Sequence, residues 1–226
     1  MRLLVMIPAF NEGGSIRRVV EHLREVCGTY DYVVVNDGSL DDTAAICKRE
    51  GYPLIDLPVN LGLAGAFQAG MQYAQRKGYD CVVQFDGDGQ HRPEYIPDML
   101  KEIQKGADLV IGSRFLREKR GYSPRMLGSR LISVAIRLTT GKRIQDPTSG
   151  MRMFRRELME RFAREMNYGP EPDTVSYLIK QGVQVREIPV KMDERRGGAS
   201  YLSLMRSLDY MVRMTISILL IQNFRK

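Results

Sequence analysis

Gln84-Phe85-Asp86-Gly87-Asp88-Gly89-Gln90-His91 is the stretch on which the reading of this chain turns. It follows a short apolar run at 81–85, which reads as a buried strand. Two carboxylates separated by a glycine, with an amide two residues on, can turn toward one hard cation such as Mg²⁺ or Mn²⁺. By itself the segment is also an ordinary Asp/Gly turn that ends a strand. His91 reads as a packing or supporting residue rather than a ligand.

The pattern repeats upstream. A strand-like run at 3–7 leads into Pro8-Ala9-Phe10-Asn11-Glu12, and a second at 32–35 leads into Asn36-Asp37-Gly38-Ser39-Leu40-Asp41-Asp42-Thr43. Helical spacing follows each: Ile16, Val19, Val20 and Leu23 after Ser15, then 43–48 after the helix-entry residues Asp41 and Asp42. A third strand is expected at 54–57, a helix at 65–77, a helix at 93–105 and a strand at 108–111. This β-α rhythm predicts an α/β fold, a mostly parallel twisted sheet with helices on both faces. Ligands of such sheets bind at the carboxyl ends of strands, where all three acidic turns fall. Asp37 could there accept a base N–H or a ribose hydroxyl.

After residue 114 the rhythm breaks. The sequence predicts a loop at 117–124, a helix at 125–140, a strand at 150–154 and helices at 157–164 and 173–181. A strand at 183–190 and a charged, glycine-rich loop at 193–200 follow. Residues 201–221 read as a helix apolar around most of its surface, a candidate for contact with lipid, with its own sheet or with a second subunit.

Charge divides along the same line. Residues 1–113 hold 11 Lys and Arg against 16 Asp and Glu; residues 114–226 hold 23 against 11. The net +7 therefore belongs to the second half, which is suited to an anionic partner such as a phosphorylated substrate, a membrane surface or nucleic acid. Neither a helix-turn-helix nor an aromatic RNA-binding motif supports nucleic acid. Cys27, Cys47 and Cys81 form no CxxC pair and fit a reducing cytosol. The first residues, with Pro8 and Glu12 early on, do not read as a signal peptide, and no uncharged apolar run reaches membrane-spanning length.

Taken together, the segments PAFNE, NDGSLDDT, NLGLAGA, DGDGQ and Gly112-Ser113-Arg114 resemble glycosyltransferase family 2, the GT-A nucleotide-sugar enzymes, almost continuously over residues 3–114. Phe10 stands where the family pattern has Tyr, and Asn36 where it has Asp. Asp146-Pro147-Thr148-Ser149-Gly150-Met151-Arg152 and Arg195-Arg196-Gly197-Gly198-Ala199-Ser200 resemble segments of the dolichyl-phosphate-mannose-synthase-like subgroup, with Tyr201 in place of a usual Lys. The resemblance implies a single GT-A domain over 1–200, divided into a nucleotide-sugar half (1–113) and an acceptor half (114–200), and a terminal amphipathic helix over 201–226. It implies an inverting transfer from a nucleoside-diphosphate sugar, a UDP sugar before GDP-mannose, to a polyprenyl phosphate.

The residues implied follow the motifs. Pro8, Ala9, Phe10, Glu12, Asp37, Asn60, Gly62 and Asp86 would hold the donor, and Asp86, Asp88 and Gln90 the Mg²⁺ or Mn²⁺. Ser113, Arg114, Arg130, Arg195 and Ser200 would hold the acceptor phosphate, and Asp88, Arg114 and Arg195 would act in catalysis. A phosphate nucleophile with a second pKa of about 6 needs no strong base. Transfer to a sugar or polyol hydroxyl is the alternative and would need Glu171 or Asp173 as base. The expected place is the cytosolic face of a membrane, as a peripheral protein, with a small membrane-protein partner or a homo-oligomer as further expectations.

Overall fold

The structure is a computed structural model that describes residues 1–117, 124–165, 169–193 and 204–221, with backbone alone at 124, 125 and 204–208. Arg195, Ser200 and Tyr201 lie outside the described residues.

Seven strands form one sheet: β1 (Leu3–Ala9), β2 (Asp31–Asn36), β3 (Leu54–Asp56), β4 (Cys81–Gln84), β5 (Leu109–Ser113), β6 (Arg152–Arg155) and β7 (Val185–Pro189). Their order is β3-β2-β1-β4-β6-β5-β7, parallel except for β6, which runs antiparallel to both neighbours. The central strands are continuous apolar runs because both faces are covered. Alternate residues feed two cores. Leu4, Met6, Val33 and Val82 face one, and Leu3, Val5, Ile7 and Val83 the other.

The helices that cover the second face are α1 (Ile16–Cys27), α2 (Thr43–Arg49) and α4 (Ile96–Gln104). The first face carries α3 (Gly62–Arg76), α5 (Pro124–Thr140), α6 (Arg156–Arg164), α7 (Pro172–Lys180) and α8 (Leu204–Leu219). Phe67, Phe154 and Phe162 meet edge to face at its centre, with centroids 5.2–5.3 Å apart. Gly70 lets α3 lie directly on β1, since a Cβ there would sit 1.9 Å from Met6 Sδ. α8 packs on α5, where Gly128 makes room for Met211, and buries Met211 and Ile218 in the same core.

One helix start and one capping residue differ from the sequence expectation for identifiable reasons. α3 begins at Gly62 rather than 65, because Asp37 Oδ1 accepts the Leu61 amide (2.7 Å) and Asn60 Oδ1 the Gly62 amide (3.1 Å). Ser15 precedes α1 but does not cap it. Its hydroxyl lies 2.7 Å from Glu12 Oε2 and 2.8 Å from the Gly87 carbonyl, tying the first strand-end turn to the DGD turn.

The topology gathers the motifs. β1, β2, β4 and β5 all end at one edge of the sheet, and antiparallel β6 begins there. The acidic turns after β1, β2 and β4, the Gly112-Ser113-Arg114 segment and the 146–150 loop therefore share that edge.

Candidate active site

The β1–β2 side of the edge is tied together largely through the backbone. The Asp37 amide donates to the Ala9 carbonyl (2.9 Å), and the Gly87 amide approaches the Pro8 carbonyl (3.3 Å). Asn11 has φ +55, with its amide on Ser39 Oγ (2.9 Å) and its Oδ1 accepting the Leu40 amide (2.8 Å). Gly38 is fixed twice over: φ is +62, and a Cβ would sit 2.5 Å from the backbone at Val59 and Asn60. Pro8, Ala9, Phe10, Asp37, Asn60 and Gly62 thus lie on three neighbouring strand ends and the start of α3. Asp37 is 4% exposed and spends one oxygen on α3, and Glu12 is 8% exposed. Both carboxylates are set back behind this surface. Asp41 is held below the usual carboxylate range: burial pulls the other way, but the Thr43 hydroxyl and the amides of Gly13 and Thr43 outweigh it.

Asp86, Gln90 and His91 border a cavity of about 340 Å³ at the same edge. Asp86 is held from several sides. Gln84 Nε2 donates to its Oδ1 (3.0 Å), and its own amide donates to His91 Nδ1 (2.9 Å). Asp88 Oδ1 accepts the Gln90 amide (3.0 Å). Two carboxylates and an amide oxygen are hard donors that suit Mg²⁺ or Mn²⁺. Among the described residues there is no group of three His, Cys, Asp or Glu side chains able to enclose a metal. Asp86 and Gln90 line the cavity, whereas Asp88 is absent from its wall.

Arg114 reaches the cavity from the end of β5, already engaged. Its Nε and Nη2 bond Asp146 Oδ2 and Oδ1 (2.6 and 2.7 Å), its backbone amide bonds Oδ2 (3.0 Å), and Nη2 also reaches Thr148 Oγ1 (3.1 Å). The bidentate face expected to grip a phosphate is turned onto a fully buried carboxylate. Ser113 is fully buried within β5 and does not border the cavity. Arg130 lies on α5 and is likewise absent from its wall, which α5 reaches instead through Met126 and Ser129.

Several residues without an assigned role in the sequence shape this site. Arg152, 2% exposed at the start of β6, donates to the carbonyls of Ser149 (2.9 Å) and Pro147 (2.7 Å) and so holds the 146–150 loop from inside. Burial lowers its guanidinium pKa from the ordinary value, while the charges of Glu171, Tyr210, Asp146 and Asp86 oppose that shift. Glu187 of β7 accepts the amides of Gln145 (2.7 Å) and Asp146 (2.8 Å) from below. Burial pushes its carboxyl up, and those amides pull it back. Arg152 closes the 146–152 segment that resembles the subgroup, which was the available signal for it; nothing local marked Glu187.

Glu171 borders the cavity too, and its carboxylate accepts the Tyr210 hydroxyl from α8. Asp173 accepts the Ser217 hydroxyl (2.7 Å) and its neighbour's amide at Thr174 (2.8 Å), and it is absent from the cavity wall. Both candidate bases are thus engaged in docking α8.

Comparison with known proteins gives the family. Residues 4–162 match the family described as Glycosyl transferase family 2, and the chain belongs to that family. It is 31% identical to the polyprenol monophosphomannose synthase of Mycolicibacterium smegmatis, covering 89% of this chain and 81% of that one. It is 30% identical to the undecaprenyl-phosphate mannosyltransferase of Micrococcus luteus, covering 90% and 88%. The undecaprenyl-phosphate 4-deoxy-4-formamido-L-arabinose transferase of Edwardsiella ictaluri is 31% identical over 92% of this chain and 65% of its own length. Among solved structures, the fold is shared with glucosyl-3-phosphoglycerate synthase of Mycobacterium tuberculosis, crystallised with Mn²⁺, UDP and phosphoglyceric acid. Its TM-score is 0.68 at 20% identity, over 98% of this chain and 78% of that one. The protein is a glycosyltransferase with a GT-A fold, and its relatives transfer sugars to polyprenyl phosphates.

Proposed function

We propose that the protein transfers a sugar, with inversion, from a nucleoside-diphosphate sugar to a polyprenyl phosphate at a membrane surface. The observation that carries this reading is the state of the two candidate bases. Glu171 and Asp173 are hydrogen-bonded to α8, so the site is better suited to an acceptor that arrives already deprotonated. A phosphate monoester does so at neutral pH.

Asp86, Asp88 and Gln90 would hold Mg²⁺ or Mn²⁺, which when bound supplies charge neutralisation to the leaving diphosphate. The chain's own residues supply position. The turn 8–12, Asp37 and the 60–62 segment seat the nucleotide, and the Arg114–Asp146 pair with Arg152 fixes the wall facing the acceptor. Arg195 and Ser200, outside the described residues, remain proposed acceptor-phosphate ligands; Arg114, its fork held by Asp146, would contribute charge at the cavity rather than a bidentate grip.

The surface supports a lipid acceptor. α5 exposes Leu127, Leu131, Val134 and Leu138, and α8 exposes Val212, Ile216 and Leu219, all at helical spacing. Apolar faces on two packed helices are unusual for a surface left in water. Arg137, Lys142 and Arg143 are exposed on or just after α5, where they suit anionic headgroups. Among the described residues no helix is long and apolar enough to cross a membrane, so the contact proposed is peripheral.

Release of nucleoside diphosphate tests the reading. Release should depend on a short polyprenyl phosphate and on Mg²⁺ or Mn²⁺, and Asp88→Ala should abolish it. Release stimulated by a free sugar instead would favour the hydroxyl-acceptor alternative. Thermal shifts with UDP and GDP in the presence of Mn²⁺ would separate the donor classes, since the cognate nucleotide raises the melting temperature.

A further inference from the structure

The geometry points to His91 and Gly150 as a two-sided clamp that aims the Asp86 carboxylate, a positioning role that rests on Asp86–Asp88–Gln90 being the metal site. His91 is 5% exposed and lies edge to face on Phe85, with centroids 5.6 Å apart, so its ring has one seat. In that seat Nδ1 accepts the Asp86 amide at 2.9 Å. An acceptor Nδ1 puts the ring proton on Nε2, and Nε2 faces Asp86 Oδ2 at 3.6 Å. One ring therefore bonds the backbone of Asp86 and turns an N–H toward its outer oxygen at ion-pair range, without a hydrogen bond to it.

Gly150 closes the other side. A Cβ at this position would stand 2.5 Å from Asp86 Oδ2 and 3.4 Å from His91 Cε1. The carboxylate thus occupies the space of the missing side chain, and the carboxylate–imidazole contact is roofed by the loop that also holds Arg114. Gln84 Nε2 on Oδ1 fixes the remaining rotation. Metal-binding carboxylates depend on such outer partners, whose loss typically costs about 10–100-fold in metal affinity.

Mn²⁺ titration in the presence of UDP, followed by electron paramagnetic resonance, tests the clamp without relying on turnover. His91→Ala should weaken Mn²⁺ binding by about 10–100-fold. His91→Asn places Oδ1 near the position of Nδ1, so it should restore the melting temperature by accepting the Asp86 amide. It supplies nothing toward Oδ2, and Mn²⁺ affinity should stay low. Gly150→Ala should weaken Mn²⁺ through the displaced carboxylate while His91 is intact. If Asp88→Ala loses Mn²⁺ but His91→Asn and Gly150→Ala keep parental affinity, the clamp is refuted and the metal site stands. If Asp88→Ala also binds normally, the metal site falls and the clamp with it.

Discussion

Arg114 and Asp146 offer an asymmetry that can be measured. Asp146 has no exposed side-chain surface, whereas Arg114 keeps 27% of its own. Deleting the arginine strands a carboxylate in the interior; deleting the aspartate leaves a cation that water can still reach. Removing one partner of a buried pair costs about 3–5 kcal/mol, mostly through the stranded charge. After Arg114→Ala, Asp146 still has the backbone amide of residue 114 (3.0 Å) and the Thr148 hydroxyl (3.2 Å). The lower end, about 3 kcal/mol, is therefore expected. At about 2–4 °C per kcal/mol for a chain of this size, that is a fall of about 6–12 °C in Tm. Asp146→Ala should cost less, and the double variant less than the two singles together, since it strands no charge. Urea denaturation of the four proteins closes the cycle. Additive losses, or a larger loss for Asp146→Ala than for Arg114→Ala, would refute the idea that the pair is a buried wall element.

Other outcomes follow from packing and exposure. Gly70→Ala should lower stability by about 1–3 kcal/mol, read by urea denaturation, because fully buried Met6 cannot clear the new methyl without disturbing its neighbours. Gly38→Ala should be worse than Gly70→Ala in the same assay, because the left-handed φ and the Val59–Asn60 backbone both oppose a side chain. Leu131→Glu with Ile216→Glu should reduce sedimentation with anionic vesicles while leaving Tm unchanged, both positions being exposed. All three cysteines are buried, and burial raises their thiols, Cys47 to about 11 and Cys81 to about 12. At pH 8 they stay neutral, so a thiol reagent should label the native protein slowly and the urea-unfolded chain at once.

What the sequence carried and what it did not divide along a physical line. Local signals, such as the apolar runs ending in acidic turns and the apolar spacing of α1, placed strands, helices and the shared edge. The partners of long side chains were not local. The sequence shows Arg114 at a strand end but not that Asp146, 32 residues away, engages its guanidinium. Glu171 and Asp173, bases only in the hydroxyl-acceptor alternative, meet Tyr210 and Ser217 on a helix that arrives last, a contact no local pattern shows. Even the start of α3 was set from outside, by the Asp37 carboxylate.

The place of β6 bears on how the chain comes into being. β4 and β5 follow one another along the chain yet never touch, because the strand between them is drawn from residues 152–155. A nascent chain that has emerged only as far as residue 113 holds two inner strands with bare edges and nothing to bridge them. Such edges invite pairing with other chains. The acidic and basic halves are therefore not separable parts that dock after folding. The first has to wait for the second, and a fragment ending at residue 113 should aggregate rather than bind nucleotide.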